Sequence, residues 1–318
     1  MPVATPVYDI EARGLGKRFG PRVAVRDFTL RVRRGEAFAL VGPDGAGKTT
    51  VMRLLVGIMD PDAGEARVLG YDTVREAERL KEHIGYMPQR FGLYDDLTVR
   101  ENLRFYSDLY GVPRAEREAR LPGLLAFAGL APFEDRLAGQ LSGGMRQKLG
   151  LICALSHRPK VLFLDEPTFG VDPVSRREFW EILNQLLQEG LTIFLSTAYL
   201  DEAERAHRVG LLYEGRLLAV DTPEALKAAF TGELLEVRAA DLREARRLLA
   251  QEPQVLKVLT MGDHLTVTVP QAREALPHLT QILSAAGLHP VEVIPAEPGL
   301  EDCFVQVVHR QQEEREEG

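Results

Sequence analysis

The chain has 318 residues, 45% apolar and 27% charged, enough for one large domain with a smaller companion. Its net charge of −8 argues against a nucleic-acid partner, because neutralising phosphates takes a dense positive surface. Two widely separated cysteines, Cys153 and Cys303, give no disulfide framework; no stretch reaches the roughly 18–20 apolar residues of a membrane helix, and residues 1–10 carry no leader pattern.

Residues 1–40 alternate short apolar runs (23–25, 28–32) with turn signals such as Arg34-Gly35-Glu36, which predicts an antiparallel β layer. Residues 37–41 form a wholly apolar strand that runs into a glycine-rich turn, followed by a helix from about 47 to Gly57. Residues 98–137 are expected to be helical, opening on Thr98 and Glu101, a capping-box pair. A further helix starts near Ser142 and stops before Pro159. Then come a buried strand over 161–164, a helix opened by Asp172-Pro173, a strand over 191–195 and a hairpin over 209–220 turning at Glu214-Gly215. The expected helix after Pro173 carries Phe179, Ile182, Leu183 and Leu186 on one face.

After Thr222-Pro223 the pattern restarts as strand (234–238), helix (242–250), hairpin (255–269), helix (271–286) and strand (291–294). That order, β-α-β-β-α-β, predicts a small ferredoxin-like α+β domain, with an extra helix from about Gly299. The expected boundaries are 1–222 for the first domain, with a helical subdomain over about 92–158, then 223–310, then a Glu-rich tail over 311–318 read as a frayed end.

Three short motifs carry chemistry. Gly42-Pro43-Asp44-Gly45-Ala46-Gly47-Lys48-Thr49-Thr50 fits the P-loop pattern: glycines let backbone N–H groups curl around phosphate oxygens at a helix N-terminus. Lys48 then supplies a cation to the outer phosphates and Thr49 a hydroxyl to Mg²⁺. An apolar strand ending in Asp165-Glu166 puts one carboxylate where it can hold Mg²⁺ through water and the next where it can polarise an attacking water as general base. Ser142-Gly143-Gly144 opens a second anion-accepting helix start, and a bare helix cap would not explain the glycine pair.

At this point residues 7 to about 222 resemble the ATP-binding cassette (ABC) ATPases, and the run from Ser142 matches that family's signature motif. The resemblance implies an α/β fold: a P-loop NTPase cassette with a mixed β core, an antiparallel β layer and a helical subdomain. It further implies that Phe19 stacks on adenine, that Gln89 touches Mg²⁺ and the attacking water, and that Asp172 is the D-loop carboxylate. In the resembling family Ser142 and its glycines grip a nucleotide bound at Lys48 of a second ATPase subunit, so a homodimer clamping two MgATP is expected. The transported substrate would pass through separate transmembrane permease subunits, with this chain at the cytoplasmic face of the cell membrane.

Residues 299–305 resemble a segment near the C-terminus of daunorubicin-resistance-type exporter ATPases, which work with ABC-2 permeases, and this implies multidrug or lipid-like export. Leu300, Phe304 and Val307 recur at helical spacing, so a plain packing helix is the alternative. Residues 90–97, with Phe91, Leu93, Tyr94 and Leu97, are read as a docking patch, against the alternative that they cover the helical subdomain. Two departures stand out. Asp44 occupies a position where the family usually has Asn, and in Ser196-Thr197-Ala198-Tyr199-Leu200-Asp201-Glu202, which resembles the family's switch segment, Ala198 occupies the place of the switch histidine; His207, expected on a helix, is no substitute. The rival readings are a soluble ABC ATPase and an ATP-gated regulatory subunit with little turnover.

Overall fold

The computed structural model describes residues 7–316, so part of the leader reading over residues 1–10 lies outside the described residues. Two compact units divide the chain, Met1–Pro223 and Glu224–Gly318.

The first unit opens on two long strands, β1 (Tyr8–Phe19) and β2 (Arg22–Arg33), joined by a tight turn. The five buried residues of β3 (Ala37–Val41) lead into α1 (Lys48–Leu55), which ends ahead of Gly57, a residue at φ 70°. Next come β4 (Ala63–Val68), β5 (Tyr71–Asp72), α2 (Ala77–Lys81) and β6 (Ile84–Met87). The antiparallel sheet runs β2-β1-β4-β5.

The expected helical stretch over 98–137 is broken. It forms α3 (Val99–Leu109) and α4 (Arg114–Phe127), then single 3₁₀ turns at Ala131–Phe133 and Ala138–Gln140. Gly111, at φ 69°, and Pro113 separate the two helices, a helix stop followed by a residue that cannot continue one. Thr98 and Glu101 do form the reciprocal capping box. Helix α5 (Gly143–Ala154) ends four residues earlier than expected, and Arg158 takes a left-handed conformation before Pro159. Val99, Leu103, Leu121, Leu125, Leu149 and Ile152 form the core of this helical part, and Phe91 and Leu93 pack against it. Those two residues therefore cover the subdomain, and of the docking patch only Tyr94 is a largely exposed ring.

The unit continues with β7 (Val161–Asp165), α6 (Pro173–Gln188), β8 (Thr192–Thr197), the single-turn α7 (Leu200–Ala203), β9 (Arg208–Tyr213), β10 (Arg216–Asp221) and α8 (Pro223–Ala228), the last reaching past the unit boundary. The central sheet runs β10-β9-β3-β8-β7-β6, parallel except for the β9–β10 hairpin. Its inner strands β3, β7 and β8 are buried along their whole length because both faces are covered, and are apolar except for Asp165, Thr192, Ser196 and Thr197. One core joins the two sheets around α1, with Ile10, Leu15 and Phe28 on one side and Leu40, Phe163 and Phe194 on the other. His207 lies ahead of β9, not on a helix, and its Nδ1 accepts the Ala37 N–H at 2.9 Å.

The second unit holds β11 (Glu233–Ala239), α9 (Leu242–Leu249), β12 (Lys257–Met261), β13 (His264–Val269), α10 (Ala272–Ala285), β14 (Val291–Ala296) and α11 (Leu300–Glu316). Its antiparallel sheet runs β12-β13-β11-β14, with Leu235, Val237, Leu265 and Val267 packing on Leu249, Leu279 and Leu283 of the helices. The tail read as frayed is helical as far as Glu316, and residues 317–318 lie outside the described residues.

Candidate active site

The site lies at the C-terminal ends of β3 and β7, where parallel sheets bind ligands. The P-loop after β3 is stitched in place from behind. Gly215 donates its N–H to Ala46 O at 2.8 Å, Ala46 donates to Pro43 O at 3.1 Å, and Gly215 O accepts from Arg26 N–H at 2.8 Å. Gly42 has no room for a side chain, since a Cβ would stand 2.2 Å from Leu212 O. Gly47, at φ 110°, would put one 2.3 Å from Ala24 O. The glycines thus serve close backbone approach as well as φ.

A cavity of about 560 Å³ opens over this loop and brings together Phe19, Asp44, Gly45, Gly47, Lys48, Thr49, Thr50, Gln89 and Glu166. Gly42, Pro43 and Ala46 form the loop behind it. Lys48, only 4% exposed, has three acceptors: Gly42 O at 2.7 Å, Pro43 O at 3.2 Å and Glu166 Oε1 at 3.1 Å. Gln89 Nε2 donates to the other Glu166 oxygen at 2.9 Å. Asp165 is buried; its Oδ1 accepts from Ser196 Oγ at 2.5 Å and from Thr49 Oγ1 at 3.2 Å.

Asp165 Oδ2 is buried and has no hydrogen-bond partner. A buried carboxylate oxygen left bare is costly, and a hydrated cation beside Thr49 would satisfy it. Among the described residues no group of three or more His, Cys, Asp or Glu side chains stands ready to hold a metal. The Thr49 hydroxyl beside the single carboxylate of Asp165 is a donor set that fits Mg²⁺, which takes one or two carboxylates, waters and phosphate oxygens.

Three pocket residues went unread in the sequence: Arg22, Ala24 and Phe169. Arg22 is the cross-strand neighbour of Phe19 and donates to Gly45 O at 3.2 Å, so a cation stands beside the exposed Asp44. No periodicity marks a lone charged residue at the first position of a strand. Ser196, which orients both Asp165 and Glu166, is legible in the sequence only as the start of the switch-like run, with no role of its own.

Ser142, Gly143, Gly144 and Asp172 do not line this cavity. Ser142 caps α5, accepting the Met145 N–H at 3.3 Å, and Asp172 caps α6, accepting the N–H groups of Val174 and Ser175 at 3.1 and 3.0 Å. The bond from Ser175 holds the Asp172 carboxyl below the usual range. The two helix starts touch: a Cβ on Gly144 would stand 2.4 Å from Ser175 Cβ, which accounts for one of the two glycines. Ala198 is exposed and lies off the cavity wall.

Comparison with known proteins agrees with this geometry. Residues 25–169 match the ABC transporter family model. The probable multidrug ABC transporter ATP-binding protein YbhF of Escherichia coli K12 is 52% identical over 227 residues, covering 70% of this chain and 39% of YbhF, so the chain spans well under half of that relative. The Nod factor export ATP-binding protein I of Paraburkholderia xenovorans is 42% identical over 238 residues, 74% of this chain and 78% of that protein. A solved structure described as the ATP binding subunit of an ABC transporter superposes with a TM-score of 0.63 at 33% identity, covering 69% of this chain and 92% of that one. With a phosphate loop, a paired lysine and glutamate, and this degree of likeness, the chain belongs to the ATP-binding subunits of ABC transporters, the ATP-binding cassette ATPases.

Proposed function

We propose that this chain binds and hydrolyses MgATP as a dimer and powers export through a separate permease. The observation that carries the reading is the convergence of Lys48, Glu166 and Gln89 in one cavity over the P-loop. Arriving phosphates compete with Glu166 for Lys48; once Lys48 turns to them, Glu166 is left as an unpaired carboxylate able to take a proton from water. Gln89, already 2.9 Å from Glu166, orients that water. Thr49, Gln89 and Asp165 would hold Mg²⁺, which neutralises charge on the β- and γ-phosphate oxygens. Phe19 at the cavity edge offers its face to the adenine ring.

Dimerisation is supported by what the cavity lacks. Ser142, Gly143 and Asp172 are exposed and outside it, and a two-fold pairing would set those helix starts against the partner's phosphates. The second unit, with its own core, is read as stabilising that pairing. Export is supported by the relatives' names, multidrug transporter and Nod factor export, and by likeness to ABC-2-associated ATPases over residues 299–305. Leu300 and Cys303 there are buried, so part of that segment is packing. No helix among the described residues is long and apolar enough to cross a membrane, which suits a subunit docked on a permease at the cytoplasmic face.

Analytical ultracentrifugation with and without MgATP, alongside phosphate release, tests this reading. Glu166→Gln should abolish turnover and lengthen the life of an ATP-bound dimer; full turnover in that variant removes the general base. Ala198 favours a second reading, an ATP-gated regulatory subunit with little turnover, since alanine offers no donor to a γ-phosphate. A wild-type chain that dimerises with ATP yet releases no phosphate would select it, and Ala198→His should then raise the rate.

A further inference from the structure

Glu202 is a charged residue only 1% exposed, on the single turn of α7, four positions beyond Ala198. A carboxylate so deeply buried is costly unless it is paired, so its partners matter. Thr168 Oγ1 donates to Oε1 at 2.5 Å, Thr197 Oγ1 donates to Oε2 at 3.1 Å, and Arg176 Nε stands 3.3 Å from Oε1.

Each partner belongs to a different segment of the ATP site. Thr168 lies two residues after Glu166. Thr197 follows Ser196, whose hydroxyl donates to Asp165 and accepts the Glu166 N–H at 3.1 Å. Arg176 sits on α6, the helix capped by Asp172, and its guanidinium lies 4.3 Å from the ring centre of Tyr199, the neighbour of Ala198.

Glu166 itself is backbone-strained, at φ 49°. A non-glycine residue keeps that conformation only where its surroundings over-determine it. Its N–H is held by Ser196 O at 3.0 Å, and its carbonyl closes a turn by accepting the Phe169 N–H at 3.2 Å. Thr168 is inside that turn, and Glu202 pins it from outside.

We propose that Glu202 is a positioning residue for Glu166. It ties residues 166–169 to the switch segment and to α6, and so keeps the general base in its left-handed conformation. With no imidazole at position 198, the switch segment is anchored inward through this carboxylate. The inference rests on the reading of Glu166 as general base.

The test is steady-state phosphate release with ATP binding by calorimetry on the full chain. Glu202→Ala and Thr168→Val should each lower kcat by about 10-fold or more, the scale expected for a misplaced catalytic group, while KM and ATP affinity move less than about 2-fold. Thr168→Ser keeps the hydroxyl and should restore most of the turnover. Unchanged kcat in both Glu202→Ala and Thr168→Val, or ATP affinity falling in step with kcat, would each overturn the proposal. If Glu202→Ala fails to fold, Thr168→Val with its serine control decides alone. The underlying reading fails separately, by full turnover in Glu166→Gln.

Discussion

Lys48 and Glu166 face each other across 3.1 Å with side-chain exposures of 4% and 9%, so the residue expected to hold phosphate and the residue expected to activate water neutralise one another before nucleotide arrives. Removing one partner of a buried pair typically costs about 3–5 kcal/mol, because the other charge is stranded. Lys48→Ala should therefore lose ATP binding and also lower the urea midpoint. The double variant Lys48→Ala with Glu166→Ala should unfold later than the single one. Equal midpoints for single and double variants would mean the pair contributes nothing to the nucleotide-free fold.

Phe19 is 47% exposed and lines the cavity, which leaves its ring accessible to a base bound there. Base–aromatic stacking contributes about 1–3 kcal/mol per base. Phe19→Ala should raise the Kd for ATP by about 10-fold, whereas Phe19→Trp should hold it near wild type. Titration calorimetry reads both, and equal affinity in all three proteins would remove Phe19 from the site.

Gly42 is closed in by the Leu212 carbonyl, and even one methyl group must push backbone aside. Overpacking of this kind costs about 1–3 kcal/mol, so Gly42→Ala should remain folded with a lower melting temperature. ATP affinity should fall by more than that stability loss would suggest, because the displaced segment is the phosphate loop itself. Wild-type ATP binding in Gly42→Ala would contradict the crowding seen here.

Burial pushes the Glu202 carboxyl above its ordinary 4.5, against the opposing pull of Thr168 and Arg176. The folded chain therefore holds this proton at pH values where the unfolded chain has released it. Its contribution to stability is complete below about pH 4.5 and is lost as pH rises through the folded value. Glu202→Gln cannot ionise, so its urea midpoint relative to wild type should drift in the variant's favour as pH rises from 4.5, then level off. A midpoint difference that stays constant from about pH 4.5 to 7 would rule out the shift.

How much of this was legible before any coordinates follows from how far apart the participating residues lie in the chain. The P-loop and Asp165-Glu166 are contiguous, and each is announced by an apolar strand that ends in a turn, so sequence spacing alone locates them. Arg22 and Ser196 were missed because each acts on a residue remote in the chain, Arg22 on Gly45 of the P-loop and Ser196 on Asp165 of the neighbouring strand β7. Glu202 was read merely as part of the switch segment, and only its burial between Thr168 and Arg176 distinguishes it from the exposed Asp201 beside it. Phe91 and Leu93 were assigned to a docking surface because a loop with two apolar side chains looks the same whether it faces a partner or its own helices; packing against the helical core decided it. The break at Gly111 and Pro113 was plain in the residues, yet apolar spacing on both sides of it disguised two helices as one.

The bond from Gly215 to Ala46, together with the close fit of Gly47 under Ala24, bears on the thermodynamics of nucleotide capture. A mould already set by the hairpin behind it leaves an arriving triphosphate little chain motion to quench. Amide deuteration at residues 45–48 should slow when ATP docks, because these N–H groups then donate to phosphate oxygens, with the smallest change at Ala46, whose N–H is already bonded to Pro43 O. Slowing is also expected at Gln89 and along residues 166–169, where the side chains still have to exchange partners.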